Sequence, residues 1–342
     1  MIASLTFTSH CLRRRLESET MARSLRFATL DVFATRRFRG NPLAVVFLPE
    51  DEPLSQEQKQ LIAREFNYSE TIFVHPTDSQ QPNFRKIDIF TTAQELPFAG
   101  HPTIGATSWF LQQSPNEGQK PTTITTKAGD IPISISSEDP TKVSALIPHD
   151  VRIHSSRMPL AELLKLHPSL EQYLDAAVYA DGFPVVSIVR GMTAAHVRLP
   201  SLEALNAVTT ATGGHEIPAT TPVAGGYLDP GWDVPGHVSV YFHVRDVWDE
   251  ELQTKVIRSR MVAGILEDPA TGSAASGLAA YLSLTNGERK GGAYTIVQGV
   301  EMGQRSEIGV QVTVEETETG IRDIKLQGNA VKVSEGHIFL DN

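Results

Sequence analysis

The stretch EDPATGSAASGLAAYL runs from Glu267 to Leu282 and joins two acids and a proline to an alanine-rich helical pattern. Thr271-Gly272-Ser273 opens onto that pattern, so the spacing predicts a helix that begins there. A helix N-terminus carries unpaired backbone N–H groups and a partial positive charge, which make it a suitable anion-binding site. Asp268 and Ser273 are also good N-capping residues, and a capped helix start still has donors left for a ligand.

The same pattern occurs 172 residues earlier, close to half of the 342-residue chain. Glu95 to Phe110 reads ELPFAGHPTIGATSWF, and both stretches fit E-x-P-x-x-G-x-x-x-x-G. In this alignment Gly272 matches Gly100, and Ser273 matches His101. The repeat predicts two lobes of like fold, each with a helix N-terminus aimed at a shared cleft. The alternative is chance matching of Gly and Pro.

Composition narrows the class of protein. The chain is 40% hydrophobic and 20% charged, which is ordinary for a globular protein and enough for two cores. A net charge of -10 argues against nucleic acid or an anionic membrane surface as partner, because both need a basic face. No apolar run approaches the roughly 20 residues that span a bilayer. We therefore expect a small-molecule ligand, no nucleic acid and no membrane.

The sequence lacks the residues that several kinds of chemistry need. The single cysteine, Cys11, rules out a disulfide framework, a cysteine-built zinc site and a pair of catalytic thiols. His237 and His243 lie six residues apart on a predicted strand, and the spacing suggests no third metal ligand. The chain has no phosphate-loop motif, no G-x-G-x-x-G fingerprint and no G-x-S-x-G elbow. We expect neither a metal nor a cofactor.

The pattern along the chain is α+β, with many short strands and few helices. Leu25 to Leu48 is typical of two strands around a turn, Ser55 to Phe66 of a capped helix, and Val151 to Val178 of a helical connection. We divide the chain into five parts: an extension (1–24), an N-terminal lobe (25–150), an inter-lobe connection (151–180), a C-terminal lobe (181–330) and a returning strand (331–342).

The extension is the one candidate for a targeting segment. Arg13-Arg14-Arg15 and several Ser and Thr are typical of an organellar transit peptide, whereas Glu17 and Glu19 are not. A dispensable extension or an upstream start codon is favoured over a targeting segment. The expected location is therefore cytoplasmic.

Two residues, Glu70 and His101, suggest acid–base chemistry. Glu70 lies in FNYSETIFV, at a predicted helix-to-strand junction that is followed by apolar residues. An apolar wall raises the pKa of a carboxylate and suits it to general acid–base catalysis; the alternative is a solvated junction carboxylate. His101 follows Gly100 at a predicted helix start, with Pro102 in the first turn, where a histidine can move a proton or simply pack.

Three segments in this order, FNYSETIFV, ELPFAGHPTIGA and EDPATGSAASG, closely resemble the phenazine-biosynthesis PhzF-like family of isomerases. The opening DVFATRRFRGNPLAVV and the later QGVEMGQRSEIGV are also similar to that family. The resemblance runs from about Leu25 to the C-terminus.

The resemblance implies an α+β, diaminopimelate-epimerase-like fold. It has two pseudo-symmetric lobes, each a curled, mostly antiparallel and barrel-like β-sheet around a central α-helix, with the active site between them. By motif match it implies Glu70 as the catalytic acid/base, with His101 and Asp268 completing the catalytic set. It also implies a homodimer and the following substrate-binding residues: Asn41, Gly100, Gly272 and Ser273.

Diaminopimelate epimerases invert a stereocentre with two cysteines, and this chain has no cysteine after Cys11. A single central base, Glu70, instead suggests that a proton is removed from one carbon and returned to another, which is a cofactor-independent isomerisation of a small carboxylate. Two alternatives stay open. Glu70 and Asp268 can act as opposed bases in a racemase or epimerase, or the chain can be a non-catalytic binding protein on the same scaffold.

Overall fold

The computed structural model describes residues 23–51, 53–114, 120–285, 291–315 and 320–340. Most of the predicted N-terminal extension, with Cys11, lies outside the described residues. Within these ranges, no helix has both the length and the apolar character needed to cross a membrane.

The described residues form nineteen strands and five α-helices. The strands are β1 (Arg23–Val32), β2 (Asn41–Phe47), β3 (Glu70–Val74), β4 (Phe84–Phe90), β5 (Glu95–Leu96), β6 (Thr123–Thr126), β7 (Gly129–Ile135), β8 (Val143–Leu146), β9 (Arg152–Met158), β10 (Phe183–Val189), β11 (Met192–Arg198), β12 (Ile217–Pro218), β13 (His237–Asp249), β14 (Thr254–Ala263), β15 (Leu266–Asp268), β16 (Gly292–Gln298), β17 (Ser306–Val314), β18 (Ile321–Gly328) and β19 (Ala330–Leu340). The helices are α1 (Gln56–Phe66), α2 (Gly100–Ser108), α3 (Leu160–Leu166), α4 (Leu202–Asn206) and α5 (Gly272–Thr285). Shorter turns are a π-helical turn (Trp109–Gln113) and three 3-10 turns (Pro168–Tyr173, Thr212–Gly214 and Pro222–Ala224).

Local sequence explains the first elements. Gly40 closes the β1–β2 hairpin at a φ of +76°, where a Cβ would lie 2.3 Å from the main-chain oxygen of Val32. Only glycine fits there, and this tight return places Asn41 at the start of β2. Ser55 caps α1 through a capping box with Gln58, as the sequence predicts.

The first half of the chain forms a mixed sheet. β1 and β2 pair antiparallel, β2 and β3 parallel, and β3 and β4 antiparallel. β4 also pairs antiparallel with the short β5 and parallel with β6. β6, β7 and β8 then continue antiparallel. α1 connects β2 to β3, and α2 connects β5 to β6.

The second half repeats this topology. β10 and β11 pair antiparallel, β11 and β13 parallel, and β13 and β14 antiparallel. β14 pairs antiparallel with the short β15 and parallel with β16, and β16 to β18 continue antiparallel. α4 and α5 stand where α1 and α2 stand in the first half. The internal repeat and the predicted α+β fold of two pseudo-symmetric lobes are therefore confirmed.

Each lobe wraps its sheet around a central helix. Every residue of α2 is buried, as are ten residues of α5. α2 lies directly on β1 and β2, since a Cβ on Gly105 would be 2.3 Å from Leu43 Cδ2 and 3.0 Å from Val32 Cγ2. The sheets curl around these helices and do not close into barrels.

The two sheets are joined edge to edge. β8, from the first half, pairs antiparallel with β18, and β19 returns to pair antiparallel with β1. Residues of α2 and α5 belong to one hydrophobic core that spans both halves. The lobes are therefore continuous in both hydrogen bonding and packing.

The helical pattern predicted over residues 151–178 is wrong at its start. Arg152–Met158 forms β9, which pairs antiparallel with β10, and helix begins only at α3. Five of the seven residues of β9, RIHSSRM, are polar, so no apolar alternation marks it as a strand. Pairing with an available strand edge decides its structure.

Candidate active site

The starts of α2 and α5 meet at two glycines. A Cβ on Gly100 would lie 3.3 Å from Gly272 Cα, and one on Gly272 would lie 3.4 Å from Gly100 Cα. Both added atoms would also lie 3.0 Å from Leu326 Cδ2. The two helix N-termini, each with a partial positive charge, are thus held side by side between the lobes.

Glu70 and His101 form a pair at this junction. Glu70 begins β3, opposite Leu43 of β2, and its Oε2 is 2.9 Å from His101 Nδ1. His101 lies in the first turn of α2 and is 4% exposed. Its Nε2 is buried with no hydrogen-bond partner among the described residues. Since a carboxylate accepts, Nδ1 donates to Glu70.

Asp268 reaches the same junction from the other lobe. It ends β15, and its Oδ1 accepts a 2.8 Å hydrogen bond from Asn41 Nδ2. Its Oδ2 accepts a 2.6 Å hydrogen bond from Thr271 Oγ1. Asn41 Oδ1 in turn accepts from Ser69 Oγ at 3.3 Å, so Asn41 links Asp268 to the residue that precedes Glu70.

The pKa values of the two carboxyl groups, Glu70 and Asp268, are shifted in opposite directions. Burial opposes the charge of Glu70, but the hydrogen bond and charge of His101, with a smaller contribution from the Ser69 side chain, outweigh it and lower the pKa of Glu70. Burial and then the neighbouring charge of Glu70 raise the pKa of Asp268 to about 6. The sequence-based expectation of a raised pKa for Glu70 is therefore wrong, because it did not include the histidine. Carboxyl groups separated in this way are typical of a base and an acid.

Two cavities are large enough for a small organic molecule, and neither is lined by a predicted site residue. One of about 400 Å³ is lined by Pro42 and Tyr68, the sequence neighbours of Asn41 and Ser69. Another, of about 320 Å³, includes residues from the C-terminal end of α5. We therefore place the candidate site by the hydrogen bonds of the carboxyl pair and the contact of the two helix starts.

The structure brings together six of the seven residues that the sequence indicates: Asn41, Glu70, Gly100, His101, Asp268 and Gly272. The seventh, Ser273, lies in the first turn of α5, partly exposed and without a hydrogen bond to a described residue. Their roles in binding and catalysis stay predictions.

Three polar residues around Asp268 were not predicted as site residues. The sequence identifies Thr271 only as part of a helix start, although its hydroxyl donates a hydrogen bond directly to Asp268. Gln298 and Tyr241 lie behind it on β16 and β13. Gln298 opens the segment QGVEMGQRSEIGV, which carries part of the family resemblance, and this was the available signal.

Comparison with known proteins agrees with this fold and identifies the family. The family model "Phenazine biosynthesis-like protein" matches residues 30–336. An uncharacterized isomerase of Mesorhizobium japonicum is 30% identical over 320 residues, covering 91% of this chain and 97% of that protein. The trans-2,3-dihydro-3-hydroxyanthranilate isomerase of Pseudomonas aeruginosa is 29% identical over 320 residues, covering 92% and 99%.

A solved structure supports the fold independently. The crystal structure of a PhzF-family phenazine biosynthesis protein from Bacillus anthracis matches with a TM-score of 0.67 at 20% identity, covering 93% of this chain and all of that one. Identity this low speaks to the fold alone. The family model and the similar isomerases, however, each cover most of the chain. The chain therefore belongs to the phenazine biosynthesis-like (PhzF) family of isomerases.

Proposed function

We propose that this isomerase moves a proton between two carbon atoms of a small carboxylate, cyclic or amino-acid-like, without a cofactor. The observation that carries the proposal is Glu70, held ionised by its hydrogen bond to His101 beside two helix N-termini. One carboxylate held ionised next to another with a pKa of about 6, so that a fraction of it stays protonated near neutral pH, provides a base and an acid in one cleft.

The helix starts supply the binding half of the site. The unpaired backbone N–H groups at the starts of α2 and α5 can donate to an anion, and Ser273 adds a hydroxyl in the first turn of α5. We assign the binding site of the substrate carboxylate to these two helix starts. The same partial positive charge stabilises the negative charge that develops when a proton leaves carbon.

In the proposed isomerisation, Glu70 takes a proton from one carbon, and the electron pair of the broken C–H bond passes into the conjugated system of the substrate. A proton then returns to a different carbon, which shifts the double bond and regenerates the carboxylate of Glu70. His101 holds Glu70 in place through its 2.9 Å hydrogen bond. Proton loss and gain balance, so no further reactant is needed.

Epimerisation is the second candidate, and the raised pKa of Asp268 favours it specifically. If Glu70 removes a proton from one face of a carbon and Asp268 returns one to the opposite face, the stereocentre inverts. The non-catalytic alternative requires that a bound carboxylate exchange no proton at all. The three possibilities therefore differ in where a label from solvent appears.

The decisive experiment is hydrogen exchange in deuterated water. The native protein and Glu70→Gln are incubated with trans-2,3-dihydro-3-hydroxyanthranilate, the compound in the name of one relative, and with a panel of L-amino acids. Glu171→Gln, which changes an exposed carboxylate on a 3-10 turn, is the matched control. Mass spectrometry and NMR locate the deuterium, and chiral chromatography reports inversion.

We expect label at a new carbon with the native protein and with Glu171→Gln, and at least a hundredfold slower labelling with Glu70→Gln. Label at the original carbon with inverted configuration indicates epimerisation instead. Equal labelling by native protein and Glu70→Gln removes Glu70 from the mechanism. A ligand that binds and never exchanges indicates a binding protein.

We also propose a homodimer, from the family resemblance, and a cytoplasmic location, because the extension is a weak targeting signal. Sedimentation velocity tests the dimer directly. A fluorescent fusion with and without residues 1–24 tests the location, and organellar fluorescence that depends on this extension contradicts it.

A further inference from the structure

Gln298 lies at the end of β16 with its side chain fully buried behind Asp268. Its Nε2 is 2.7 Å from the main-chain oxygen of Asp268 and 3.0 Å from Thr271 Oγ1. Its Oε1 is 3.3 Å from the main-chain nitrogen of Thr271 and 3.0 Å from the hydroxyl of Tyr241. An amide has two hydrogens and two lone pairs, so all four are engaged.

These partners determine the orientation of the Gln298 amide, that is, the positions of its oxygen and its nitrogen. The main-chain oxygen of Asp268 can only accept a hydrogen bond, and the main-chain nitrogen of Thr271 can only donate one. The NH₂ group must therefore face Asp268, and the oxygen must face the Thr271 nitrogen. The second N–H of Gln298 then points at Thr271 Oγ1, which accepts it.

The direction of the next hydrogen bond follows. Thr271 Oγ1 has one hydrogen, and the acceptor it meets among the described residues is Asp268 Oδ2, at 2.6 Å. If Asp268 donated to Thr271 instead, the threonine hydrogen would be left without an acceptor among the described residues, which is unfavourable in a half-buried site. Gln298 thus directs the Thr271 hydroxyl toward the carboxylate.

The lone pairs of Asp268 can now be counted. Oδ1 accepts from Asn41 Nδ2 at 2.8 Å and, more weakly, from the main-chain nitrogen of Ala270 at 3.4 Å. Among the described residues, Thr271 is the one donor to Oδ2. A carboxylate oxygen has two lone pairs, so one lone pair of Oδ2 stays without a donor.

We propose that Gln298 is a positioning residue: it holds the Thr271 hydroxyl as a donor to Asp268 Oδ2 and so confines the proton of Asp268 to the other lone pair of that oxygen. This role rests on the second candidate under the proposed function, epimerisation, because a confined proton matters only if Asp268 exchanges it with substrate. Gln298 itself does not touch the substrate. It acts through Thr271.

A direct titration of Asp268 tests the hydrogen-bond directions without any substrate. Three titratable groups interact with the charge of Asp268: Glu70 from β3, His101 from α2 and Tyr241 from β13. Glu70 and His101 are unchanged in every variant below. Differences among the variants therefore report on Thr271 and Gln298.

The carboxyl carbon of Asp268 is followed by ¹³C NMR against pH and assigned by its loss in Asp268→Asn. Thr271→Val removes a donor to the ionised form, and Gln298→Met allows the protonated form to donate to Thr271. Each is expected to raise the pKa of Asp268 by about one, a tenfold change in the protonation equilibrium. Thr271→Ser keeps the hydroxyl and is expected to restore the native value.

Tyr241→Phe is the matched control at the far side of Gln298. It removes one donor to Oε1, but the amide is still oriented by Asp268 and by the Thr271 nitrogen, so the pKa of Asp268 should stay at its native value. The proposal is overturned if Gln298→Met leaves that pKa unchanged, or if Tyr241→Phe raises it equally. Near-UV circular dichroism checks that each variant is folded.

If Gln298→Met does not fold, the two threonine variants decide, and equal pKa values for Thr271→Val and Thr271→Ser reject the proposal. Failure of the proposed function gives a different result. In that case no substrate exchanges hydrogen with the native protein, while the titrations still separate the variants as expected.

Discussion

Gly100 and Gly272 touch across the two lobes, with only 3.3–3.4 Å between the Cα of either residue and a Cβ placed on the other. They occupy equivalent positions in the internal repeat, at the first residue of α2 and of α5. The contact brings two positive helix ends together, which is unfavourable unless an anion lies between them. The glycines therefore determine both the spacing and the charge of the site.

Gly272→Ala is expected to destabilise the protein by about 1–3 kcal/mol, since the new methyl meets Leu326 at 3.0 Å and the backbone of Gly100 at 3.4 Å. Activity should fall at least tenfold, because the two helix starts must separate. Urea unfolding and the exchange assay measure the two effects. Gly277→Ala on the same helix, whose nearest contact is 3.4 Å from His196 Nε2, should be neutral or stabilising. Equal losses in both variants would contradict this view of the glycine contact.

His101→Leu should move the acid limb of the pH–rate profile to higher pH. Burial alone raises the pKa of Glu70, and the hydrogen bond and charge of His101 oppose that rise. Without the histidine, Glu70 becomes protonated at a higher pH, and a base must be ionised to act. His215→Leu changes an exposed histidine and should leave the profile as it is. An unchanged acid limb in His101→Leu would show that His101 does not control Glu70.

Asp268 should make stability fall as pH rises toward neutrality. Its pKa is about 6 in the folded state, against 3.8 for the ordinary side chain, so the folded state binds the proton more tightly. The resulting stabilisation is fully present below pH 3.8 and is lost as pH rises through about 6. Its size is about 3 kcal/mol at most, at roughly 1.4 kcal/mol per pKa unit.

Asp268→Asn has no proton to bind and should lack this loss. The check is the free energy of unfolding of native protein and variant between pH 4 and pH 7. Between pH 4 and pH 7 the free energy of unfolding of Asp268→Asn should rise relative to that of the native protein. Parallel curves of unfolding free energy against pH would mean that the pKa of Asp268 is not raised.

Lys59→Met should destabilise the protein by about 1–3 kcal/mol. Lys59 Nζ lies 2.5 Å from Asp88 Oδ2, in a pair whose side chains are only 10% and 13% exposed, and His75 is a second partner of Asp88 at 2.8 Å. These contacts outweigh burial and lower the pKa of Asp88 to about 2.

A lowered pKa contributes stability above the ordinary value of 3.8, and this is lost as pH falls through about 2. The gap between native protein and Lys59→Met should therefore narrow below pH 3.8 in chemical unfolding. Lys165→Met, whose side chain is 70% exposed beside Glu162, should change stability by less than about 0.5 kcal/mol. A gap that is independent of pH would assign the loss to packing instead of charge.

The helix starts and the acid–base candidates were predictable because they carry local signals. Glycine and proline mark the start of α2, Ser55 marks that of α1, and the spacing of Glu95 and Glu267 reveals the repeat. Such signals depend on residues a few positions apart. They also locate Glu70, because an acid at a strand start is visible without knowledge of its partners.

What was missed depends on contacts between distant segments. Gln298 lies 30 residues beyond Asp268, and nothing near it in sequence indicates a hydrogen bond to that residue. The direction of the pKa shift of Glu70 depends on His101, 31 residues away. β9 is a strand only because β10 offers an edge. Each of these is a tertiary effect that local patterns do not contain.

The pairing of β19 with β1 has a consequence for synthesis on the ribosome. Thr29 and Ser334 share a hydrogen bond although 305 residues separate them. At about 5–20 residues per second, the edge of β1 waits roughly 15–60 s for its partner strand to be translated. During that time it is an unpaired edge open to other chains. We expect the nascent protein to depend on holding chaperones, and a fusion that moves β19 ahead of β1 to relieve that dependence.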